Sequence, residues 1–228
     1  TNPGYGKSMQ ETCVTVTLMK FLLRMVETFG DCKYVDAFEC SMYNAYLGSL
    51  NTNLNTNDKI LVKFPDAIIE PLPFDSYSPL ASGVRGVGIG GLRIMPDNHY
   101  YGCCACIGSV GIGMYHKMMC MNFYNGIAIN LYNSGVIEAF TPDGNKILLS
   151  FDTKYPKDGN IKITLSLCKD EMFSIRLRNP NWSRHTVVNI NGVKQVLGDG
   201  YNDIHRTWKN GDVIELEFDM NFYIIRPI

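Results

Sequence analysis

Apolar residues recur at helical spacing in the N-terminal part of the chain. In residues 12–29 they fall three or four positions apart, which predicts an amphipathic helix ended by Gly30. The same spacing predicts a second helix over about residues 33–47, closed by Gly48, and a third over 108–121. We therefore expect a helical hairpin followed by one separate helix.

The C-terminal half has a different period. From Gly126 onward apolar and polar residues alternate, which is the pattern of half-buried strands. Asn-Gly and Asp-Gly turn signals recur roughly every ten residues, which is typical of a sandwich of antiparallel sheets. The predicted strands are residues 127–132, 136–140, 147–152, 161–167, 173–178, 186–190, 201–205, 213–218 and 222–226.

These two patterns predict a mixed α+β fold made of a helical segment, residues 1–122, and a β-sandwich, residues 123–228. Residues 51–101 are rich in polar residues and proline, and we expect a long loop there. Its glycine-rich stretch, residues 83–91, lacks the strand and helix that flank a nucleotide-binding GxGxxG motif. We interpret it as a loop packed closely against other backbone.

Charge and hydropathy exclude two classes of partner. The chain has 228 residues and a formal net charge of −1, so its electrostatics favour neither nucleic acid nor an anionic membrane. No stretch reaches the roughly 18 uninterrupted apolar residues of a membrane helix. The sequence starts at Thr1 without an initiator Met, as expected of a processed, trimmed or internal start.

The cysteines are the first candidates for chemistry. The chain has eight of them, but it is too long and too apolar to need a disulfide scaffold. Cys103, Cys104 and Cys106 lie within four positions of one another. Such a cluster indicates a metal site or reactive thiolates.

A second group, Glu11 and Cys13, also lies at the start of a predicted helix, where thiolates are favoured. On a regular helix two residues this far apart point about 200° away from each other. They can share an ion only if the chain is still extended at Glu11. One carboxylate and three thiolates would satisfy zinc, but buried inert thiols fit the spacing equally well.

Structural roles are expected for the remaining candidates. His99 lies four residues before Cys103, and we interpret it as a loop histidine rather than a ligand. Trp182 is a candidate for stacking on a sugar ring, although a place in the sandwich core or at its edge is favoured. Core packing is predicted for four scattered cysteines: Cys32, Cys40, Cys120 and Cys168.

Several motifs occur together in one order along the chain. The first is Glu11-Thr12-Cys13, followed in the next helix by Tyr34, Val35, Asp36, Glu39, Tyr43 and Asn44. The others are Tyr101-Gly102-Cys103-Cys104 and, in the β half, residues 155–159, 177–183, 188–192 and 206–212. Apart from about residues 51–80, the chain therefore resembles glycoside hydrolase family 127, the β-L-arabinofuranosidase-like family.

The resemblance implies part of an (α/α)6 barrel followed by a β-sandwich. It implies a retaining glycosidase whose zinc ligands are Glu11, Cys13, Cys103 and Cys104, with Cys103 as the nucleophile. Cys106 is the alternative third thiolate, because Ala105-Cys106-Ile107 follows the pair where the family usually has Pro or Gly.

The same resemblance suggests what the chain works with. It implies an arabinose-containing oligosaccharide or glycan as substrate, and a further part of the barrel as a partner. The family's acid/base glutamate lies upstream of the Glu-x-Cys motif by more residues than precede Glu11, so we expect it outside this chain. The compartment stays open between the cytoplasm and the bacterial periplasm.

Two other classes of function remain open. A non-catalytic carbohydrate-binding or structural sandwich would present an exposed aromatic platform, with Trp182 or Tyr201 as its candidates. A thiol redox protein is disfavoured, because no Cys-x-x-Cys motif lies in a βαβ context.

Overall fold

The computed structural model describes residues 9–49, 65–66, 77–79, 93–94, 96–98, 100–101, 103–222 and 224. The chain divides into two compact units, Thr1–His116 and Lys117–Ile228. The predicted mixed fold class is confirmed, with helices concentrated in the first unit and strands in the second. The predicted domain boundary after residue 122 stays a prediction. No helix among the described residues is long and apolar enough to cross a membrane.

The first unit is built around helices joined by very short strands. Its elements are β1 (Met9–Glu11), α1 (Thr12–Phe29), α2 (Cys32–Cys40), a π-helical segment (Ser41–Tyr46), β2 (Tyr77–Pro79), β3 (Arg93–Ile94), β4 (Tyr100–Tyr101) and α3 (Cys103–Met119), whose last residues enter the second unit. Strand β1 pairs with β2, and β3 pairs with β4, both antiparallel.

Helix α1 has the predicted boundaries. Its buried face includes Val16, Met19 and Val26 at the predicted helical spacing. Gly30 ends the helix at φ 62°, a left-handed conformation that glycine adopts without strain, and its N–H donates to the Val26 carbonyl at 2.8 Å. The hydrophobic period and the glycine stop signal therefore determine this helix locally.

The second predicted helix starts as expected and then changes its winding. The Asp31 side chain accepts a hydrogen bond from the Lys33 N–H at 3.0 Å and caps α2. After α2 the chain widens into the π-helical segment Ser41–Tyr46. Periodicity alone predicts one continuous helix here and misses the widening, which is frequent at functional sites.

Two predictions in the first unit are corrected. Helix α3 starts at Cys103 rather than at residue 108, so the clustered cysteines lie on its first turns and not in front of it. The predicted loop at 51–101 contains β2, β3 and β4 in its described part. The glycine-rich stretch and His99, like most of that region, lie outside the described residues.

The second unit consists of two sheets. Its strands are β5 (Cys120–Phe123), β6 (Gly126–Ile129), β7 (Gly135–Phe140), β8 (Lys146–Thr153), β9 (Asn160–Leu167), β10 (Glu171–Asn179), β11 (Val187–Ile190), β12 (Val193–Val196), β13 (Gly200–Trp208) and β14 (Val213–Glu217). The four-stranded sheet has the order β13-β10-β6-β5, and the six-stranded sheet has the order β12-β11-β14-β9-β8-β7.

Burial follows the predicted two-residue period. In β9, Ile161, Ile163 and Leu165 are buried and alternate with more exposed residues. Trp208 and Phe173 contribute large buried side chains from the four-stranded sheet. Each such side chain contributes about 1.5–3 kcal/mol through burial, so these inward-facing rows supply the core of the unit.

The sheets differ from the prediction in pairing and in number of strands. Strands β6 and β10 pair in parallel, whereas all pairs were expected to be antiparallel. The sequence pattern predicts neither β5 nor β12, and it extends the third helix over residues 120–121, which belong to β5. In the predicted strand at 222–226, residues 222 and 224 are not in a strand, and the others lie outside the described residues.

Candidate metal centre

Glu11 and Cys13 lie on opposite sides of a strand-to-helix junction. Glu11 is the last residue of β1 and the N-cap of α1, with extended backbone angles of φ −111° and ψ 129°. Its strand pairs with β2, with Glu11 opposite Tyr77. Cys13 is the second residue of α1. This junction is the extended-to-helical geometry that allows two residues so spaced to face one ion, because the separation of about 200° applies only within a helix.

The third member of the cluster comes from α3. Cys104 is the second residue of that helix, and its side chain is fully buried. Its Sγ lies 3.4 Å from the Sγ of Cys13, although the two residues are 91 positions apart. A Glu11 carboxylate oxygen and both sulfurs all lie within 4.8 Å of one another. Among the described residues, Glu11, Cys13 and Cys104 are the group of metal-binding side chains whose ligand atoms lie this close together.

The cluster has the donor set and the size of a zinc site. Zinc binds thiolate sulfur at about 2.3 Å, so two sulfurs on one tetrahedral ion lie about 3.8 Å apart. The observed 3.4 Å between the two sulfurs is shorter by a few tenths of an ångström. A carboxylate with two thiolates provides three of the four ligands that such an ion takes. The residues present therefore fit zinc.

Both cysteines occupy the same position in their helices, the second residue from the N-terminus. The unpaired N–H groups of a helix N-terminus carry about half a positive charge, which favours anionic side chains. Two helix N-termini thus meet around one carboxylate and two thiols. A helix N-terminus is a position where a thiolate that binds a metal or attacks an electrophile is favoured.

Tyrosines of the π-helical segment connect it to α3. The Tyr46 hydroxyl donates to the Gly108 carbonyl at 2.5 Å, and burial raises the pKa of Tyr46 to about 12. A Cβ at Gly111 would overlap the Tyr46 ring. The hydroxyl groups of Tyr43 and Tyr115 lie 3.0 Å apart and share a second hydrogen bond. Since the π-helical segment also packs against α1, it fixes the two helices that carry Cys13 and Cys104.

Of the other predicted ligands, Cys103 stays a prediction and Cys106 lies away from the cluster. Cys103 is the first residue of α3, and its side chain lies outside what the structure describes. Cys106 is exposed and does not belong to the cluster. Because it follows Cys104 by two helical positions, it points about 200° away around the axis of α3. The two residues therefore cannot face the same ion while that turn is helical.

The prediction that the four scattered cysteines pack in the core is wrong for two of them. Cys40 and Cys168 are exposed. Cys32 and Cys120 are half-buried, and burial raises the pKa of the Cys120 thiol to about 12.

Sequence reasoning gave no role to Tyr46 or Gly111. The available signal was the set of three glycines within one helix, at 108, 111 and 113, because a glycine inside a helix can mark a packing contact.

The fold and the cluster together define a chain of mixed helical and β-sheet structure with a candidate thiolate–carboxylate metal centre. Comparison with known families identifies the relatives. Residues 126–220 match the family model described as Beta-L-arabinofuranosidase, GH127 middle domain. The resemblance to glycoside hydrolase family 127 is therefore confirmed. No curated protein sequence is significantly similar to the chain.

Solved structures extend the similarity to the rest of the fold. A crystal structure of a GH127 β-L-arabinofuranosidase from Geobacillus stearothermophilus T6 matches with a TM-score of 0.69 and 23% identity, covering 95% of this chain and 32% of that one. A glycoside hydrolase matches with a TM-score of 0.65 and 24% identity, covering 95% of this chain and 34% of that one. A GH127 β-arabinofuranosidase matches with a TM-score of 0.64 and 24% identity, covering 92% and 32%. The chain thus shares their fold and spans about a third of their length.

Proposed function

We propose that the chain is part of a retaining glycoside hydrolase of the β-L-arabinofuranosidase type. In this proposal Glu11, Cys13, Cys103 and Cys104 bind zinc, and Cys103 is the nucleophile. The proposed substrate is an arabinose-containing oligosaccharide or glycan. The observation that carries the proposal is the meeting of Glu11, Cys13 and Cys104 within 4.8 Å, together with the family match of residues 126–220.

The chemistry follows from what these side chains can do. Zinc, when bound, keeps its cysteine ligands deprotonated at neutral pH. The Cys103 sulfur attacks the anomeric carbon, the bond to the leaving oxygen breaks, and a covalent glycosyl-enzyme forms. Water then attacks the anomeric carbon from the face opposite the sulfur, the C–S bond breaks and the thiolate is released, so that two inversions give net retention. The required acid/base carboxylate would come from a part of the longer protein that carries the family's upstream glutamate.

Two considerations favour Cys103 over its neighbours as the nucleophile. Cys104 is fully buried, so a sugar has no direct approach to its sulfur. Cys106 lies outside the cluster and would attack without help from a metal. Cys103 immediately precedes a cluster member at the N-terminus of α3, where a thiolate is favoured.

A further part of the barrel is the proposed partner of the helical unit. Val14, Leu18 and Phe21 recur at helical spacing along α1 and are 64%, 46% and 55% exposed. Since the opposite face is also apolar and buried, α1 is apolar on both sides, as expected of a helix that packs between others. The matched structures are about three times as long as this chain, and we propose that their additional helices have counterparts that cover this stripe.

The test of catalysis uses the full-length protein with an aryl β-L-arabinofuranoside. We expect hydrolysis, an initial product that keeps the β configuration by proton NMR, and loss of activity in Cys103→Ser. A bromoacetamido-arabinofuranoside should alkylate Cys103, as located by peptide mapping. Cys106→Ser is the matched control and should retain both hydrolysis and labelling. Inversion of configuration, or labelling of Cys106 instead of Cys103, would refute the mechanism.

The structure offers little support for a purely carbohydrate-binding sandwich. Trp182 is stacked on Tyr155 at 6.2 Å between ring centroids and contacts the Phe218 ring edge-on. Tyr201 donates its hydroxyl to Asn130 Oδ1 at 2.6 Å. A cavity of about 480 Å³ at the six-stranded sheet has no aromatic side chain among its lining residues, all within the described part. Both candidate platform residues, Trp182 and Tyr201, are thus half-buried and in contact with neighbouring side chains.

A further inference from the structure

Cys13 and Cys104 hold their sulfurs much closer than two unrelated thiols would lie. Their Sγ atoms are 3.4 Å apart, only about 1.4 Å more than the length of a disulfide bond. We propose that these two cysteines form a peroxide-sensitive pair, whose oxidation to a disulfide and whose binding of a metal ion exclude each other. The disulfide itself does not depend on the proposed function, whereas the exclusion rests on the proposed zinc site.

The surrounding fold brings the pair together before any oxidation occurs. Cys13 is fixed on α1, which packs against α2 and the π-helical segment. Cys104 is fixed on α3, which Tyr46 holds through the Gly108 carbonyl. The gap that remains between the two sulfurs is about 1.4 Å.

Burial sets the order of events. Cys13 is half-buried and Cys104 is fully buried, so a small oxidant from solvent reaches the Cys13 sulfur first. Hydrogen peroxide transfers one oxygen to Cys13, which gives a sulfenic acid and one water. The Cys104 sulfur then attacks the Cys13 sulfur, the S–O bond breaks, and the hydroxyl leaves with the Cys104 proton as a second water. The two thiols have lost two electrons, and the peroxide has gained them.

The consequence for the metal centre is direct. A disulfide consumes both thiolates of the cluster, so that of its three members only Glu11 could still bind a metal ion. An ion bound between the two sulfurs would hold them about 3.8 Å apart and occupy the lone pairs that attack peroxide. The pair can thus hold a metal or form a disulfide, but not both.

The neighbouring cysteines provide the controls. Cys106 points away from Cys104 around α3 and is exposed, so it should not become linked to Cys13. Cys40 and Cys168 are also exposed and report how far the oxidant and the alkylating reagent have reacted in general.

The experiment treats the chain, stripped of metal with EDTA, with stoichiometric hydrogen peroxide and then alkylates the remaining thiols. We expect an intact mass about 2 Da lower before alkylation, and a non-reducing peptide map that joins the peptides of Cys13 and Cys104. Cys106→Ser should behave like the parent chain, and Cys13→Ser should lose the link. Saturating Zn²⁺ should slow the linkage at least about 10-fold.

The possible failures separate this proposal from the proposed function. A link through Cys103 or Cys106 that leaves Cys13 alkylated would overturn the pair, even if the chain binds zinc normally. A Cys13–Cys104 link that forms equally fast at saturating Zn²⁺ would overturn the exclusion, and it would count against these two sulfurs as metal ligands.

Discussion

A methyl group added at Gly111 would overlap the ring of Tyr46, coming within 2.6 Å of its Cζ atom, whereas one added at Gly113 meets nothing within 4 Å. Both glycines lie on α3, two residues apart, and only Gly111 is buried. Gly111→Ala and Gly113→Ala therefore differ mainly in their contact with Tyr46. They test whether this contact fixes the helix that carries Cys104.

The two substitutions should change the free energy of unfolding in opposite directions. Replacing a glycine inside a helix by alanine stabilises the helix by up to about 1 kcal/mol, and Gly113→Ala should show this gain alone. At Gly111 the extra carbon overpacks the contact, which costs about 1–3 kcal/mol. Displacing Tyr46 also weakens its hydrogen bond to Gly108, worth about 1 kcal/mol. Gly111→Ala should therefore be destabilising by about 1–3 kcal/mol.

Urea denaturation followed by circular dichroism at 222 nm measures these changes, because the helices lie mainly in the first unit. A second readout is zinc retention against a chelator, which should fall in Gly111→Ala and stay at the parental level in Gly113→Ala. Equal stability of the two variants, or an unfolding free energy above that of the parent chain for Gly111→Ala, would show that Tyr46 does not hold α3 as described.

Four further predictions concern the second unit and the tyrosine contact. Burial raises the pKa of the Cys120 thiol to about 12, so at pH 8 iodoacetamide should label Cys168 long before Cys120; similar rates would contradict the burial. Because the folded pKa of Cys120 exceeds its unfolded value, its contribution to stability is complete below about pH 9 and is lost as the pH rises toward 12. This loss should be absent in Cys120→Ala titrated in parallel by thermal unfolding. Tyr46→Phe should lower the unfolding free energy by about 1 kcal/mol through loss of its hydroxyl hydrogen bond, and an unchanged urea midpoint would refute that bond. Gly126→Ala should destabilise the chain by about 3 kcal/mol, because its Cβ would overlap the Ser174 carbonyl of the parallel neighbour; a soluble variant of parental melting temperature would contradict the pairing.

The elements that the sequence predicts well are those that depend on neighbours along the chain. Helix α1 has both an apolar stripe and a glycine stop at Gly30, and its boundaries are correct. Strand β9 alternates buried and exposed residues over its whole length. In both cases the hydrophobic period coincides with the period of the element, so no distant contact is needed to identify it.

The elements that the sequence misses depend on contacts from elsewhere in the fold. Strand β12 is exposed at every residue, so it has no hydrophobic period to detect. The parallel pairing of β6 with β10 joins segments more than forty residues apart, and periodicity carries no information about pairing direction. Helix α3 begins at Cys103, five residues before the start that the sequence favours.

In the candidate metal centre, too, some features follow from residues close in sequence and others depend on the fold. The short spacing of Glu11 and Cys13 was enough to predict that they share an ion only across an extended junction, and the structure has that junction. The selection of Cys104 rather than Cys106 depends on where α3 starts. A start at residue 108 leaves both thiols in an irregular segment where either can turn inward, whereas a start at Cys103 points them in opposite directions.

Zinc content tests the central claim most directly. The purified chain is refolded or dialysed with Zn²⁺ and then freed of excess metal. It should retain about one zinc per chain, measured by inductively coupled plasma mass spectrometry. Cys13→Ser and Cys104→Ser should each retain far less, while Cys168→Ser should match the parent. No retained zinc in the parent chain, or equal retention in all four proteins, would contradict a metal centre at Glu11, Cys13 and Cys104.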